Sequence, residues 1–127
     1  MNTLIADANL FLRFLLNDIP NQYSIAKKLF SKAKNGQLEI IVPQIIIFEI
    51  AFSLDKYYHF PKTEMIDKLS LLIATQYFKI QDKEIFQIAL NLYQSNNLSL
   101  TDCFLLAKSQ VMEIEIFTFD KNLIKLL

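Results

Sequence analysis

The chain has 127 residues, 53% of them hydrophobic and 11 of them Phe, which suits one compact domain with a filled interior and excludes a disordered tail. Its 13 basic and 13 acidic residues cancel, so there is no global basic excess for nucleic acid, and any polyanion must meet local patches or bound cations. Single copies of Gly, His and Cys exclude a glycine-rich phosphate loop, a multi-histidine metal site, an intramolecular disulfide and a cysteine-rich zinc site.

No apolar run nears the roughly 18 residues that a membrane span requires. The N-terminal MNTLIADANL lacks the basic start and uninterrupted apolar stretch of a signal peptide. A soluble, cytoplasmic protein is expected. Ser–His–Asp or Cys–His chemistry would have to use His59, so carboxylates are the main catalytic resource.

In chain order, TLIA (3–6) reads as a short strand ending at Asp7. NLFLRFLL (9–16) reads as a short helix stopped near Asn17, Asp18 and Pro20. Ile25, Ala26, Leu29, Phe30 and Ala33 form the apolar stripe of a helix over 22–34. Asn35-Gly36 ends it, with Gly36 free to take a positive φ. LEIIV (38–42) is a buried β-branched strand. Pro43 suits the first turn of a helix over 44–58, which is apolar nearly all round and so expected to be buried. Pro61 opens a helix over 62–76, with Met65, Ile66, Leu69, Leu72 and Ile73 on one face. YFKI (77–80) is a short strand, followed by a helix over 82–95. Ser99 or Thr101 can cap a helix over 102–112. IEIFTF (114–119) reads as a strand ending at Asp120, and 121–127 begins a last helix. Strands alternating with helices predict one domain over 1–127, a three-layer α/β/α sandwich around a central parallel sheet.

Ligands of open parallel sheets bind beyond the carboxyl ends of the strands. Asp7 follows the first expected strand and Asp120 the last. Asp102 opens the helix leading into that last strand. Glu49 sits about two turns into the helix leaving the second strand. Taken singly, each has an ordinary explanation. Asp7 and Asp120 can cap helices, and Asp102 can favour a helix N-terminus electrostatically. Glu49 is surrounded by Ile45, Ile46, Ile47, Phe48, Ile50, Ala51 and Phe52, so it either lies on a narrow solvent stripe, pairs with a cation, or meets a metal. Together the four are expected to converge on one sheet edge, where mutual repulsion invites a hard divalent cation such as Mg²⁺ or Mn²⁺. Such ions acidify and orient a bound water and stabilise a leaving oxygen, which suits phosphodiester cleavage.

Four segments carry a family resemblance: IADANLFLRFLL (5–16), VPQIIIFEIAFSL (42–54), LTDCFLLAKSQ (100–110) and FTFDKNL (117–123). In this order the chain resembles the PIN domain, and within it the VapC-type ribonuclease toxins of toxin–antitoxin pairs. The resemblance implies a Mg²⁺- or Mn²⁺-dependent endoribonuclease that acts on RNA, forms a homodimer and is neutralised by a small antitoxin. It assigns the metal-site and catalytic acids to Asp7, Glu49, Asp102 and Asp120. Asn9 and Thr118 match polar positions that orient ligands or water. Such relatives usually continue into another edge strand, whereas this chain stops at Leu127, so one strand fewer is expected.

Arg13 is expected to contact the scissile phosphate or to pair with one of the acids. Lys121, beside Asp120, can help position phosphate. Lys27, Lys28, Lys32 and Lys34 make a basic helix face, which a solvated stripe explains more simply than contact with substrate backbone or antitoxin. Tyr57, Tyr58 and His59 can stack on bases, but a helix end packed in the core or dimer interface is the simpler reading. Cys103 reads as core. Two other functions compete with this reading. A non-catalytic PIN-like scaffold is disfavoured by the intact acids. A receiver-type phospho-acceptor would want paired acids near the first strand and an Asp after the middle one.

Overall fold

The structure is a computed structural model that describes residues 2–127. The chain forms two compact units, one reaching to Gln81 and one running Asp82–Leu127.

In the first unit, β1 (Asn2–Ile5), β2 (Leu38–Val42) and β3 (Phe78–Ile80) make a parallel sheet in the order β1-β2-β3. Ile5 lies opposite Ile41, and Val42 opposite Ile80. The helices are α1 (Ala8–Leu16), α2 (Pro20–Lys34), α3 (Gln44–Lys56) and α4 (Lys62–Ala74). Parallel strands need crossovers, and these helices supply them. This is the α/β architecture that the alternation predicts. LEIIV explains the position of β2: Leu38, Ile40 and Val42 are buried on one face, and Glu39 and Ile41 half-buried on the other. One face is fully covered and the other partly so, as the hydrophobic run of a central strand anticipates.

The core has an aromatic centre. Phe11 of α1 stacks on Phe30 of α2 at 5.6 Å and meets Phe78 of β3 edge-on at 5.3 Å. Helix ends follow local rules. Asn17 stops α1 in the left-handed region with φ 48°. After α2, the Gly36 N–H donates to Ala33 O and the Gln37 N–H to Lys32 O, a Schellman closure. Gly36 accordingly has φ 77°. Ile25 departs from the expected stripe. It is exposed, while Ala26, Phe30 and Ala33 alone are fully inward on α2.

The second unit holds α5 (Lys83–Ser95), α6 (Leu100–Met112) and α7 (Lys121–Ile124). α5 packs on α6 through Phe86 and Phe104, whose rings lie 4.8 Å apart. Cys103 is fully buried, as its apolar surroundings predict. The expected strand at 114–119 is not formed. The segment belongs to no helix or strand, it has no ladder partner among the described residues, and Phe117 and Phe119 are each 87% exposed. IEIFTF has strong β propensity, but propensity becomes a strand only when a neighbour pairs with it. Among the described residues no helix is long and apolar enough to cross a membrane.

Candidate active site

Within the first unit the site is built from the ends of β1 and β2. Because these strands are parallel, both run out at the same edge of the ladder. After β1 the chain buries Ala6 and turns Asp7 outward. Asp7 is the N-cap of α1, and one of its carboxylate oxygens accepts from the Leu10 N–H at 3.4 Å. That long bond satisfies an orphan donor while leaving most of the carboxylate's acceptor capacity unused. Asn9 follows, exposed, in the first turn of α1.

Beyond β2, Pro43 caps α3, and Glu49 is the sixth residue of that helix. Glu49 is exposed. This corrects the expectation of a helix buried nearly all round. Ile45 (68% exposed) and Phe52 (54%) share its open face, while Ile46, Ile47, Ile50 and Leu54 point inward. The solvent-stripe reading of Glu49 therefore describes its position, and no buried-charge penalty arises. What remains unusual is the company: a carboxylate flanked by apolar side chains that also face out.

Arg13 is turned away from any free role. Its Nε lies 3.4 Å from an Asp18 oxygen, and its guanidinium donates to the Tyr58 hydroxyl. The Nε is buried and within ion-pair range, but its alignment does not make a hydrogen bond to Asp18. Of the two expected roles, pairing is what the structure displays, though with Asp18 rather than a site acid. Tyr58 is a partner that sequence reasoning missed. It is 45 positions away, and nothing local signals the contact. Tyr57, Tyr58 and His59 are all exposed, so of the two expected placements of this helix end, core or dimer interface, the core is corrected. Arg13→Ala should lower stability by about 1.5–3 kcal/mol, the worth of a charged hydrogen bond. Urea unfolding measures this. An unchanged midpoint together with a large loss of RNA cleavage would instead place Arg13 on the phosphate.

In the second unit, Asp102 occupies the first turn of α6 and is half-buried. Ser99 is the cap there, its hydroxyl accepting from the Asp102 N–H at 3.1 Å. Asp102 is thus not spent on capping, and its charge complements the helix N-terminus. Asp120 caps α7, accepting from the Leu123 N–H at 3.0 Å. The Thr118 hydroxyl accepts from the Asp120 N–H at 3.0 Å, so Thr118 fixes the backbone that carries this acid. Lys121, next in the chain, is exposed.

Among the described residues, none of the four acids pairs with Lys, Arg or His. Among the same residues, no three His, Cys, Asp or Glu side chains stand close enough to share one metal ion. The donor chemistry still fits a hard cation: all four are carboxylates, and none is neutralised by a neighbour.

The PIN domain family model matches residues 4–126, a span that contains all four acids. The chain belongs to the PIN domain family. A VapC ribonuclease from Aquifex aeolicus (strain VF5) is 21% identical over 123 residues, which cover 96% of this chain and 90% of that protein. No solved structure gives a significant match. The parallel α/β sheet with helical crossovers is the architecture expected of a PIN domain here.

Proposed function

We propose that this PIN domain is a divalent-metal-dependent endoribonuclease, the toxin of a toxin–antitoxin pair. The observation that carries the reading is Asp7, an unpaired carboxylate at the carboxyl end of the first strand of a parallel ladder, inside a family match over residues 4–126. The relative named as a VapC ribonuclease supports RNA as substrate, and the resemblance to VapC-type toxins supports an antitoxin as partner. Asp7, Glu49, Asp102 and Asp120 are proposed to hold Mg²⁺ or Mn²⁺. When bound, such an ion supplies Lewis acidity toward the phosphodiester and lowers the pKa of water.

The chain's own residues do the positioning. Asp7 and Asp120 are held at helix N-caps, which fixes the backbone beneath each carboxylate. Thr118 steadies Asp120 through its N–H. Asn9 is assigned to orienting ligand or water, and Lys121 to the phosphate. A homodimer in the cytoplasm, held inactive by a small antitoxin, completes the proposal.

Purified protein should cleave RNA in Mn²⁺ or Mg²⁺, lose that activity in EDTA, and regain it when metal is restored. Cleavage indifferent to EDTA would remove metal from the account. A protein that neither cuts RNA nor binds metal by calorimetry would be a scaffold.

A further inference from the structure

Helix α2 carries Lys27, Lys28, Lys32 and Lys34 and no acidic residue in its 15 positions. All four lysines are exposed, and among the described residues none forms an ion pair. In a chain of zero net charge, this is a concentrated block of positive potential. The helix dipole can account for Lys32 and Lys34, which sit in the last turn. It does not account for Lys27 and Lys28, which lie mid-helix. Lys28 and Lys32 are one turn apart, so they repel in the free protein. Ser24 stands one turn before Lys27 and Lys28, Ser31 lies between Lys28 and Lys32, and the five residues Ser24, Lys27, Lys28, Ser31 and Lys32 line a depression of ≈ 430 Å³.

We propose that this face of α2 binds the phosphodiester backbone of the RNA substrate, remote in sequence from the four acids. It rests on the ribonuclease reading, since that reading supplies the polyanion. The chemistry favours nucleic acid over an acidic protein. The depression is lined by the stems and ammonium groups of three lysines and by two serines, and no aromatic or branched aliphatic residue of the kind that anchors protein interfaces belongs to its lining. Donors spread along the helix from Ser24 to Lys34 match a regular string of phosphates. Such contacts position a strand without reading its bases. This surface holds RNA through charge, and the hydroxyls of Ser24 and Ser31 donate to phosphate oxygens between the lysines.

The test is fluorescence anisotropy with fluorescein-labelled poly(U) RNA and the full chain, in EDTA so that the strand stays intact. Lys28→Gln/Lys32→Gln should weaken binding about tenfold or more near 0.1 M salt. It should also reduce the slope of log affinity against log salt by about 1.4. Lys28→Arg/Lys32→Arg should restore both, and circular dichroism should show all variants folded. Unchanged affinity and slope in the Gln variant would overturn the proposal. So would a loss confined to poly-glutamate binding, which would mark a protein partner. The two readings fail separately. RNA bound through these lysines but not cut in Mn²⁺ would overturn the ribonuclease alone. RNA cut normally while the Gln variant binds as wild type would overturn the α2 surface alone.

Discussion

Asp7→Asn should lower the rate of RNA cleavage by about 10²–10³-fold, equivalent to about 3–4 kcal/mol of transition-state stabilisation. The substitution removes a charge and keeps the shape. Asn is as good an N-cap as Asp, so the bond from the Leu10 N–H can persist and α1 should remain capped. Stability should therefore change by less than about 0.5 kcal/mol. Glu49→Gln provides the companion test. Glu49 is exposed on α3 and makes no ion pair among the described residues, so its fold role is minimal. If its carboxylate only meets water, its loss leaves cleavage untouched. If it holds metal, cleavage falls while the unfolding midpoint stays. Cleavage progress curves beside urea melts separate these outcomes, and a fully active Asp7→Asn protein would refute the assignment.

The largest stability effect is expected at Phe11. It is 1% exposed, stacks on Phe30 and meets Phe78 edge-on. Phe11→Ala deletes the ring on which α1, α2 and β3 converge. Truncations of this kind cost about 3–5 kcal/mol, because transfer energy is lost and the cavity only partly collapses. That is a large share of a domain's stability, about 5–15 kcal/mol in total. The melting temperature should fall by about 10–20 °C, measured by scanning calorimetry. Phe11 lies on the helix that Asp7 caps, so activity should vanish at temperatures where wild type still works. A loss below about 1 kcal/mol would mean that the aromatic cluster is not the centre of this core.

Much of the fold was legible because local rules and burial agreed. Leu38–Val42 is strand by composition and strand in the sheet. Asn35-Gly36 ends α2 through the positive φ that glycine permits. Ser99 caps α6 as its type allows. Legibility failed where the outcome depends on distant groups. Residues 114–119 have strand composition, but a strand needs a partner, and among the described residues none is paired to them. Ile25, Ile45 and Phe52 are apolar and exposed, so hydrophobicity alone misplaced them. Among the readings the sequence left open for Glu49, the solvent stripe is the one that its exposure matches.

The site was legible in a different way. Asp7 at a strand end and Asp102 in a first helical turn follow from element boundaries, which the sequence marks well. Thr118 was singled out by family pattern, and its bond to the Asp120 N–H gives that position a physical role. Arg13 shows the limit of such reasoning. Its chemistry suits phosphate, but Asp18 and Tyr58 claim the guanidinium. One partner is five residues away and the other 45, and helical periodicity points to neither.

Asp7, Glu49, Asp102 and Asp120 are proposed to hold the divalent metal that serves RNA cleavage. Anomalous diffraction from a crystal of the protein grown in Mn²⁺ tests it most directly. An anomalous peak ligated by oxygens of these carboxylates is expected, as is its loss in an Asp7→Asn crystal grown the same way. A protein that cleaves RNA in solution but shows no peak at these residues, or binds Mn²⁺ elsewhere, would contradict it.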